Sequence, residues 1–534
     1  MDSQETLALR EILNTKVKTR KELMRIKRQV AKKFALPIFN NAKLISEYRR
    51  LLRLGDIKQD INLENVLRKR AIRTMSGIAP VAVLTKPYPC PGRCAYCPTE
   101  KDVPQSYLSN EPAVMRAIRC GYNPYEQVDY RLRALEANGH NPTKIELIVI
   151  GGTWSYLPIK YKYWYIANLF AAANQFSKQK KEREKQKYSI RLSLVEMKKA
   201  LLKEQKKNEK TKYQIIGLTL ETRPDYINEK ELLEMREFGC TRVEIGVQAI
   251  DDNILKFNRR GHGVAEIIQA TELLRSFGFK ITYHLMPGLP SATPKRDLEM
   301  FKQLFSDKNF QPDQIKFYPT VVTKGSLMHR WWKQGKYEPY TTEILEDLII
   351  ACKKVVPPYT RIIRLIRDIP GESILAGNLV TNLRQVLLAR GVKCSCIRCR
   401  EIKDEKVYKK DVKKIVRTYE AGLGQEYFIS FETKKDKLLG FVRLYLPNNT
   451  EDGLGVLKNS AIIRELHVYG QLVSRGEIKK VQHSGLGSIL MKEAEKIVKK
   501  NKFKKIAVIS GVGVRNYYRK FGYKLKETYM KKSL

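Results

Sequence analysis

Residues 81–100 read VAVLTKPYPCPGRCAYCPTE: a short β-branched run that breaks into a loop carrying three cysteines spaced C-x3-C-x2-C. An apolar run of this length bounded by Pro and Gly marks a buried strand. Five comparable runs follow it: KIELIVIGGTW, YQIIGLTLETRPDY, TRVEIGVQ, FKITYHLMPGLP and DQIKFYPTVV. Amphipathic helical stretches such as EKELLEMREFG and GVAEIIQATELLRSFG lie between several of them. Alternating strands and helices predict parallel βα units, and six units from about Ser76 to Thr323 predict an open or partial (β/α)6 barrel of the α/β class. Each run turns polar at its end, at Gly151-Gly152-Thr153, Glu221-Thr222-Arg223, Gln248, His284 and Tyr318. In a barrel those ends share one face, where active sites are built.

Three thiolates on that face, rather than four, can hold a [4Fe–4S] cluster with one iron left open. An open iron can chelate the amino and carboxylate groups of S-adenosylmethionine (SAM), whose reductive cleavage yields a 5′-deoxyadenosyl radical. Cys90, Cys94 and Cys97 are therefore the expected cluster ligands. Zinc is the alternative, but it would want a fourth ligand nearby and none is evident. Gly151, Gly152 and Thr153 would let backbone approach the methionine moiety. Glu221, Arg223 and Gln248 would hold the ribose hydroxyls and the carboxylate.

The charge sets the partner. In 534 residues, 101 Lys and Arg face 56 Asp and Glu, a net charge of +45. A thermophile-like surface would raise both signs together. A one-sided excess points instead to a polyanion, nucleic acid first. Residues 1–72 are basic and helical in pattern, as in KVKTRKELMRIKRQVAKKF, and form the expected RNA-gripping region. No apolar run reaches 18 residues and the N-terminus has no signal-peptide segment, so no membrane span and a cytoplasmic location are expected. In a reducing compartment the nine cysteines favour metal ligation over disulfides: six fall in two tight groups, and the scattered Cys120, Cys240 and Cys352 read as small buried residues.

A second cysteine group, KCSCIRCREI, brings together Cys394, Cys396 and Cys399. It predicts a structural zinc clip between two large domains, with His329 and Cys352 as candidates for the fourth ligand. A second cluster, or no metal, are the alternatives. The expected division is a radical domain over 73–365, a cysteine-rich linker over 366–410 and an αβ domain over 411–534. A Lys-, Glu- and Gln-rich insertion, about Lys178 to Lys212, reads as an exposed helical excursion.

Near the C-terminus, KKVQHSGLGSILMKEAEKIVKK places Gln482, Gly485, Leu486, Gly487 and Ser488 at the opening of an amphipathic helix. Glycine-rich backbone at a helix N-terminus offers free N–H groups to a pyrophosphate. The preceding IIRELHVYG could pair with a pantetheine arm, and VRNYYRKFGYKL carries Tyr517 and Tyr518. This order resembles the GNAT acetyltransferase fold.

Taken together the sequence resembles the Elongator catalytic subunit family, which joins a radical SAM domain to an acetyltransferase domain and modifies tRNA wobble uridines. The resemblance runs from about Arg73 onward, through RTMSGIAPVAVLTKPYPCPGRCAYCP, YLSNEPAVMRAIR, LETRPDY, NRRGHG, RDIPGE, RELHVYG, QHSGLGSILMKEAE and ISGVGVRNYYRKFGY. It implies cluster ligation by Cys90, Cys94 and Cys97. It implies acetyl-CoA contacts at Lys144, Glu465, Leu466, His467, Val468, Leu486, Gly487, Ser488 and Tyr518, with Tyr517 as neighbour. Lys144, Tyr517 and Tyr518 are the implied catalytic residues. Because Lys144 precedes a radical-domain strand, that contact implies two active sites facing one another. The implied reaction joins the acetyl methyl carbon to C5 of an unstacked uridine in the anticodon stem-loop, leaving a carboxymethyl group. The shorter first cysteine loop and the fuller CSCIRC group favour an archaeal or bacterial type, able to work without other Elongator subunits, and a homo-oligomer is compatible with the sequence. The rival is a protein lysine acetyltransferase with a structural cluster, whose basic substrates a charge of +45 would repel. The Lys178–Lys212 insertion is the expected cover for the acetyl end before tRNA arrives.

Overall fold

A computed structural model describes residues 3–68, 77–178, 187–380, 382–402, 407–449, 455–469, 472–473 and 485–534. Gln482 lies outside the described residues. Strands β1 (Ile78–Leu84), β2 (Lys144–Ile150), β3 (Gln214–Thr222), β4 (Arg242–Gln248), β5 (Lys280–Leu285), β6 (Gln314–Phe317) and β7 (Arg361–Arg364) form one sheet in sequence order. Every neighbouring pair is parallel, with helices in the crossovers, as an open barrel requires. The sheet has one strand more than the six expected. The seventh, RIIR, follows a Pro-rich turn and has Arg at both of its ends, so it does not read as an apolar run.

The two faces of the first strands differ. On β1, Ala79, Val81 and Val83 are buried, while the alternate Ile78, Pro80 and Ala82 are less covered. On β2, Ile145, Leu147 and Val149 are buried while Lys144, Glu146, Ile148 and Ile150 are half-buried. The buried set joins the main core, and the other set lines an open lumen. Strand β2 thus carries a charged residue, Glu146, on its lumen face, which a fully packed barrel would not tolerate.

Four N-terminal helices, α1 (Gln4–Asn14), α2 (Arg20–Lys33), α3 (Asn41–Leu54) and α4 (Ile61–Leu67), share a core of their own around Ile12, Leu23, Leu44 and Leu51. Ser3, Thr19, Asn40 and Asp60 cap them through side-chain oxygens. Arg49 and Arg68 donate to the carbonyls of His140 and Gly139, each at 3.2 Å, and so dock this module on the radical domain.

The charged insertion is not an exposed excursion. Its helix, Leu194–Asn208, begins at a Ser193–Glu196 capping box and buries Met197, Ala200, Leu201 and Asn208. It lies along the helix Ile159–Gln175, which is covered on nearly all sides. Asn174 donates to the Glu204 carboxylate at 2.8 Å and accepts from Asn208 at 2.7 Å. The Lys- and Glu-rich composition hides this narrow apolar stripe.

The C-terminal domain holds a second seven-stranded sheet in the order β15-β16-β14-β12-β11-β10-β9. Its strands are β9 (Val412–Glu420), β10 (Gly424–Thr433), β11 (Leu438–Pro447), β12 (Ser460–Val468), β14 (Lys505–Val508), β15 (Lys524–Lys526) and β16 (Tyr529–Ser533). A two-residue pair, β8 (Val407–Tyr408) with β13 (Leu472–Val473), stands apart. The helix Leu486–Lys500 buries Leu486, Leu490, Met491, Ala494 and Val498 against the sheet. No described helix is long and apolar enough to cross a membrane.

The two sheets meet through buried charge. Arg464 reaches Asp313 at 2.6 Å and also binds Glu426. Arg443 bridges Asp313 at 3.4 Å and Glu465 at 3.1 Å, and Arg275 meets Glu426 at 3.1 Å. Three guanidiniums thus balance three carboxylates, with Arg275 and Asp313 supplied by the radical domain. Such a cluster fixes relative position rather than adding much net stability, but losing one member is costly.

Candidate active site

The cysteine loop is anchored by the Ala95 N–H, which donates to the Asn258 carbonyl at 2.9 Å. Arg260 Nη1 lies 3.4 Å from Cys94 Sγ, Gln105 Nε2 3.4 Å from Cys97 Sγ, and Thr153 Oγ1 3.7 Å from Cys90 Sγ. Burial alone would raise the Cys94 thiol, but Arg260, with Tyr96 and Arg223, outweighs it and holds the thiol below its ordinary value. Burial and the neighbouring Cys94 push Cys97 up to about 11. Arg223 Nη1, Arg260 Nε and His262 Nε2 are buried without hydrogen-bond partners among the described residues. Three thiols on one loop, backed by orphaned guanidinium N–H groups, fit a cluster whose ligands and sulfides are negative.

Arg223 directly follows β3 and is not among the residues that line the lumen. It is bound to Asp225 at 2.8 Å and aims Nη1 at the cysteine loop, where a Cβ on Gly92 would meet it at 2.2 Å. Gly151 and Gly152 take φ of 122° and 64°, and a Cβ on Gly151 would stand 2.5 Å from Thr85 Oγ1. Gln248 ends β4 at φ 69°, a left-handed backbone that is costly outside glycine, and its Oε1 is buried without a partner among the described residues. Glu221 is held on both oxygens: Oε2 accepts from Tyr107 at 3.1 Å, and Oε1 lies 3.3 Å from His284 Nδ1.

Glu221 and Gln248 line a lumen of about 2430 Å³ that runs the length of the barrel, while Gly151, Gly152 and Thr153 stand outside its lining. Its middle is charged. His284 Nε2 lies 2.8 Å from Glu244, which also binds Lys316, while Arg242 meets Glu146 at 2.9 Å. Burial would neutralise Glu244, but Lys316, His284 and Arg242 keep it ionised. Sequence reasoning missed Glu244, Arg242, Lys316, Tyr107 and Arg260. Only the mid-strand polarity of RVEIGVQ and DQIKF signalled the first three.

At the far end the lumen meets the second domain. Lys144, Arg242, Lys280 and Gln314 begin their strands there, and Glu465, Leu466, His467, Val468, Gly485, Leu486, Gly487, Ser488, Tyr517 and Tyr518 line the same space. Strand β12 pairs with β14 only over Ser460–Ile463, so among the described residues its backbone from Arg464 to Val468 has no strand partner on that side. Such an edge suits an extended amide-bearing arm. Gly485, at φ 75°, starts the helix Leu486–Lys500 with no side-chain cap. The Tyr517 hydroxyl lies so near Gly487 that a Cβ there would stand 2.4 Å from it. Tyr518 is buried in the domain core. Burial pushes His467 down to about 4.

The metal-ligating atoms of Cys394, Cys396 and Cys399 lie within 4.8 Å of one another, tighter than the first loop. Hydrogen bonds from Cys394 and Cys399 hold the Cys396 thiol far below its ordinary value. Neither His329 nor Cys352 joins the group. His329 stacks on Trp332, and Cys352 is buried beside Asp297 in another part of the radical domain. The segment does sit between domains: Arg361 binds Glu401 at 2.8 Å and Arg400 binds Glu432 at 2.7 Å.

Residues 88–304 match the Radical SAM superfamily, 312–391 the Radical_SAM C-terminal domain and 398–523 the acetyltransferase (GNAT) family. The chain is 42% identical over 479 residues to the tRNA uridine(34) acetyltransferase of Dehalococcoides mccartyi, covering 87% of this chain and all of that protein. It is 39% identical over 491 residues to human Elongator complex protein 3, covering 88% and 86% of the two chains. Among solved structures it resembles the archaeal Methanocaldococcus infernus Elp3 lacking residues 1–46, with a TM-score of 0.69 and 37% identity, over 86% of this chain and 99% of that one.

Proposed function

This chain belongs to the tRNA uridine(34) acetyltransferase family that includes Elongator complex protein 3, and we propose that it carboxymethylates C5 of the tRNA wobble uridine from acetyl-CoA. The observation that carries this reading is the lumen: one continuous space joins the cysteine-loop end of the radical sheet to the open edge of β12. A substrate assembled from both cofactors needs such a shared space, and two independent enzymes joined by a linker would not.

Cys90, Cys94 and Cys97 would hold a [4Fe–4S] cluster, which supplies reductive cleavage of SAM. Gly151, Gly152, Thr153, Glu221 and Gln248 would cradle the SAM molecule at the strand ends. Arg223 and Arg260 balance the charge of the thiolates from below. Glu465 to Val468 and the first turn at Gly485–Ser488 would bind the pantetheine and pyrophosphate of acetyl-CoA. Tyr517 and Tyr518 would stand at the thioester side, with Lys144 lining the same space from the radical sheet. The uridine must leave its stack to enter the lumen, which favours the single-stranded anticodon loop. Phosphate contacts from α1–α4 would then hold the rest of the tRNA. Zinc at Cys394, Cys396 and Cys399 would clip the two domains, with its fourth ligand from outside the protein side chains gathered there.

The test is anaerobic incubation of the reconstituted protein with SAM, reductant, acetyl-CoA and tRNA, followed by nucleoside mass spectrometry. The reading requires 5-carboxymethyluridine that vanishes when acetyl-CoA is omitted. Unmodified uridine with acetylated lysines on an added basic protein would favour the rival activity.

A further inference from the structure

Glu209 closes the insertion helix and reaches across to the acetyltransferase domain. One carboxylate oxygen meets Arg515 Nη1 at 3.2 Å and the other meets Arg519 Nη1 at 2.6 Å. Its carbonyl accepts from Asn516 Nδ2 at 2.8 Å. All three partners belong to the five-residue helix Arg515–Arg519, which also bears Tyr517 and Tyr518. The Glu209 and Arg515 side chains are only 10% and 6% exposed, so this is no screened surface pair. The backbone leading into that helix is pressed on the same domain. A Cβ on Gly511 would stand 2.0 Å from the Ile216 carbonyl oxygen, and one on Gly513 would stand 2.9 Å from that of Ile215. The segment therefore rests on the first residues of β3.

We propose that Glu209 is a positioning residue for the acetyl-CoA site, acting from the radical domain on the tyrosine helix; this rests on the reading of that site given above. A helix of five residues has too few internal bonds to hold its own orientation. Arg515 and Arg519, four positions apart, share one face, and Tyr517 lies roughly 200° around the helix from Arg515. Gripping the arginines thus sets the roll of the helix and aims the Tyr517 hydroxyl at Gly487. A shift of the helix by about 1 Å would misplace that hydroxyl, enough to cost up to about a hundredfold in rate. The insertion, expected as a cover over the acetyl end, is by this account its scaffold.

The experiment measures acetyl-CoA hydrolysis by the full chain in the presence of tRNA, with SAM cleavage followed in parallel and acetyl-CoA binding followed by calorimetry. Glu209→Gln should lower kcat about tenfold or more, with KM for acetyl-CoA changing less than about threefold and SAM cleavage unchanged. Glu209→Asp should recover part of the loss. Arg519→Gln, at a side chain 39% exposed and so a safe second variant, should lower kcat similarly. The double variant should be no worse than either single one. Wild-type kcat in both single variants, or a matching loss of SAM cleavage in both, overturns the proposal. A wild-type protein that binds no acetyl-CoA overturns the site and the proposal with it; one that binds leaves a failed Glu209→Gln effect to count against Glu209 alone.

Discussion

Lys280 Nζ lies 3.6 Å from Glu465 Oε1, so the first residue of a radical-sheet strand touches the acetyltransferase strand left open at its edge. The acetyltransferase domain therefore sits at the beginnings of the radical strands, while the cysteine loop and Gly151, Gly152, Glu221 and Gln248 sit at their ends. The distance between the two centres is the length of the barrel, and the lumen spans it. Lys144 belongs to the acetyl end for this reason, though it begins β2.

The cysteine loop should matter to one centre only. Replacing Cys90, Cys94 and Cys97 together by Ala should abolish 5′-deoxyadenosine formation while leaving acetyl-CoA binding at its wild-type value. The two are read by chromatography and calorimetry. Native rates of SAM cleavage in the triple variant would remove the cluster from this loop.

The helices α1–α4 fold around their own core, so residues 1–68 can be deleted without opening the radical core. The deletion should weaken tRNA binding by about tenfold to a hundredfold and flatten the slope of log affinity against log salt. Filter binding across a salt series measures both. An unchanged slope would locate the phosphate contacts elsewhere.

Asp313 answers two buried arginines, Arg464 and Arg443, at the joint of the domains. Asp313→Asn should cost about 3–5 kcal/mol in chemical denaturation, because it leaves buried charge uncompensated. Lys33→Ala, which breaks the exposed pair with Glu11, should cost under about 1 kcal/mol. Equal effects would show that the cluster is well hydrated.

Burial holds both His467 and His262 neutral, each pushed down to about 4. The unfolded chain, with imidazoles near 6.5, takes up these protons first. Stability from the two groups is therefore complete above about pH 6.5 and is lost as pH falls toward 4. Asp297, raised to about 6 by burial, acts in the opposite sense: its contribution is full at low pH and is lost as pH rises through 6. His467→Gln should flatten the fall in melting temperature between pH 6.5 and 4.5. An unchanged profile would mean that His467 is not buried neutral.

Much of this was legible in the sequence because it depends on local pattern. Six strands, the cysteine loop and the glycine turn at Gly485 each announce themselves within about a dozen residues. What escaped depends on pairing across the fold. Arg260 looks like any basic residue until β4 and the cysteine loop bring it to Cys94. Glu244 and Lys316 read as mid-strand polarity, and only the hollow barrel explains why they face inward together. Gly511 and Gly513 stand in a motif noted for its tyrosines, yet their own constraint is contact with β3, about 300 residues earlier in the chain. Arg223 directly follows β3, as its strand-end position suggests, but that position does not fix where a long side chain points, and only the fold shows it bound to Asp225.

On the proposed reaction, both centres act on one acetyl group through the shared lumen. Acetyl-CoA carrying a trideuterated methyl group tests it most directly, in anaerobic turnover with SAM, reductant and tRNA. The account predicts 5′-deoxyadenosine that has gained one deuterium, and a carboxymethyl group on the wobble uridine that keeps the other two. Deoxyadenosine free of deuterium, with the wobble uridine modified all the same, would contradict it.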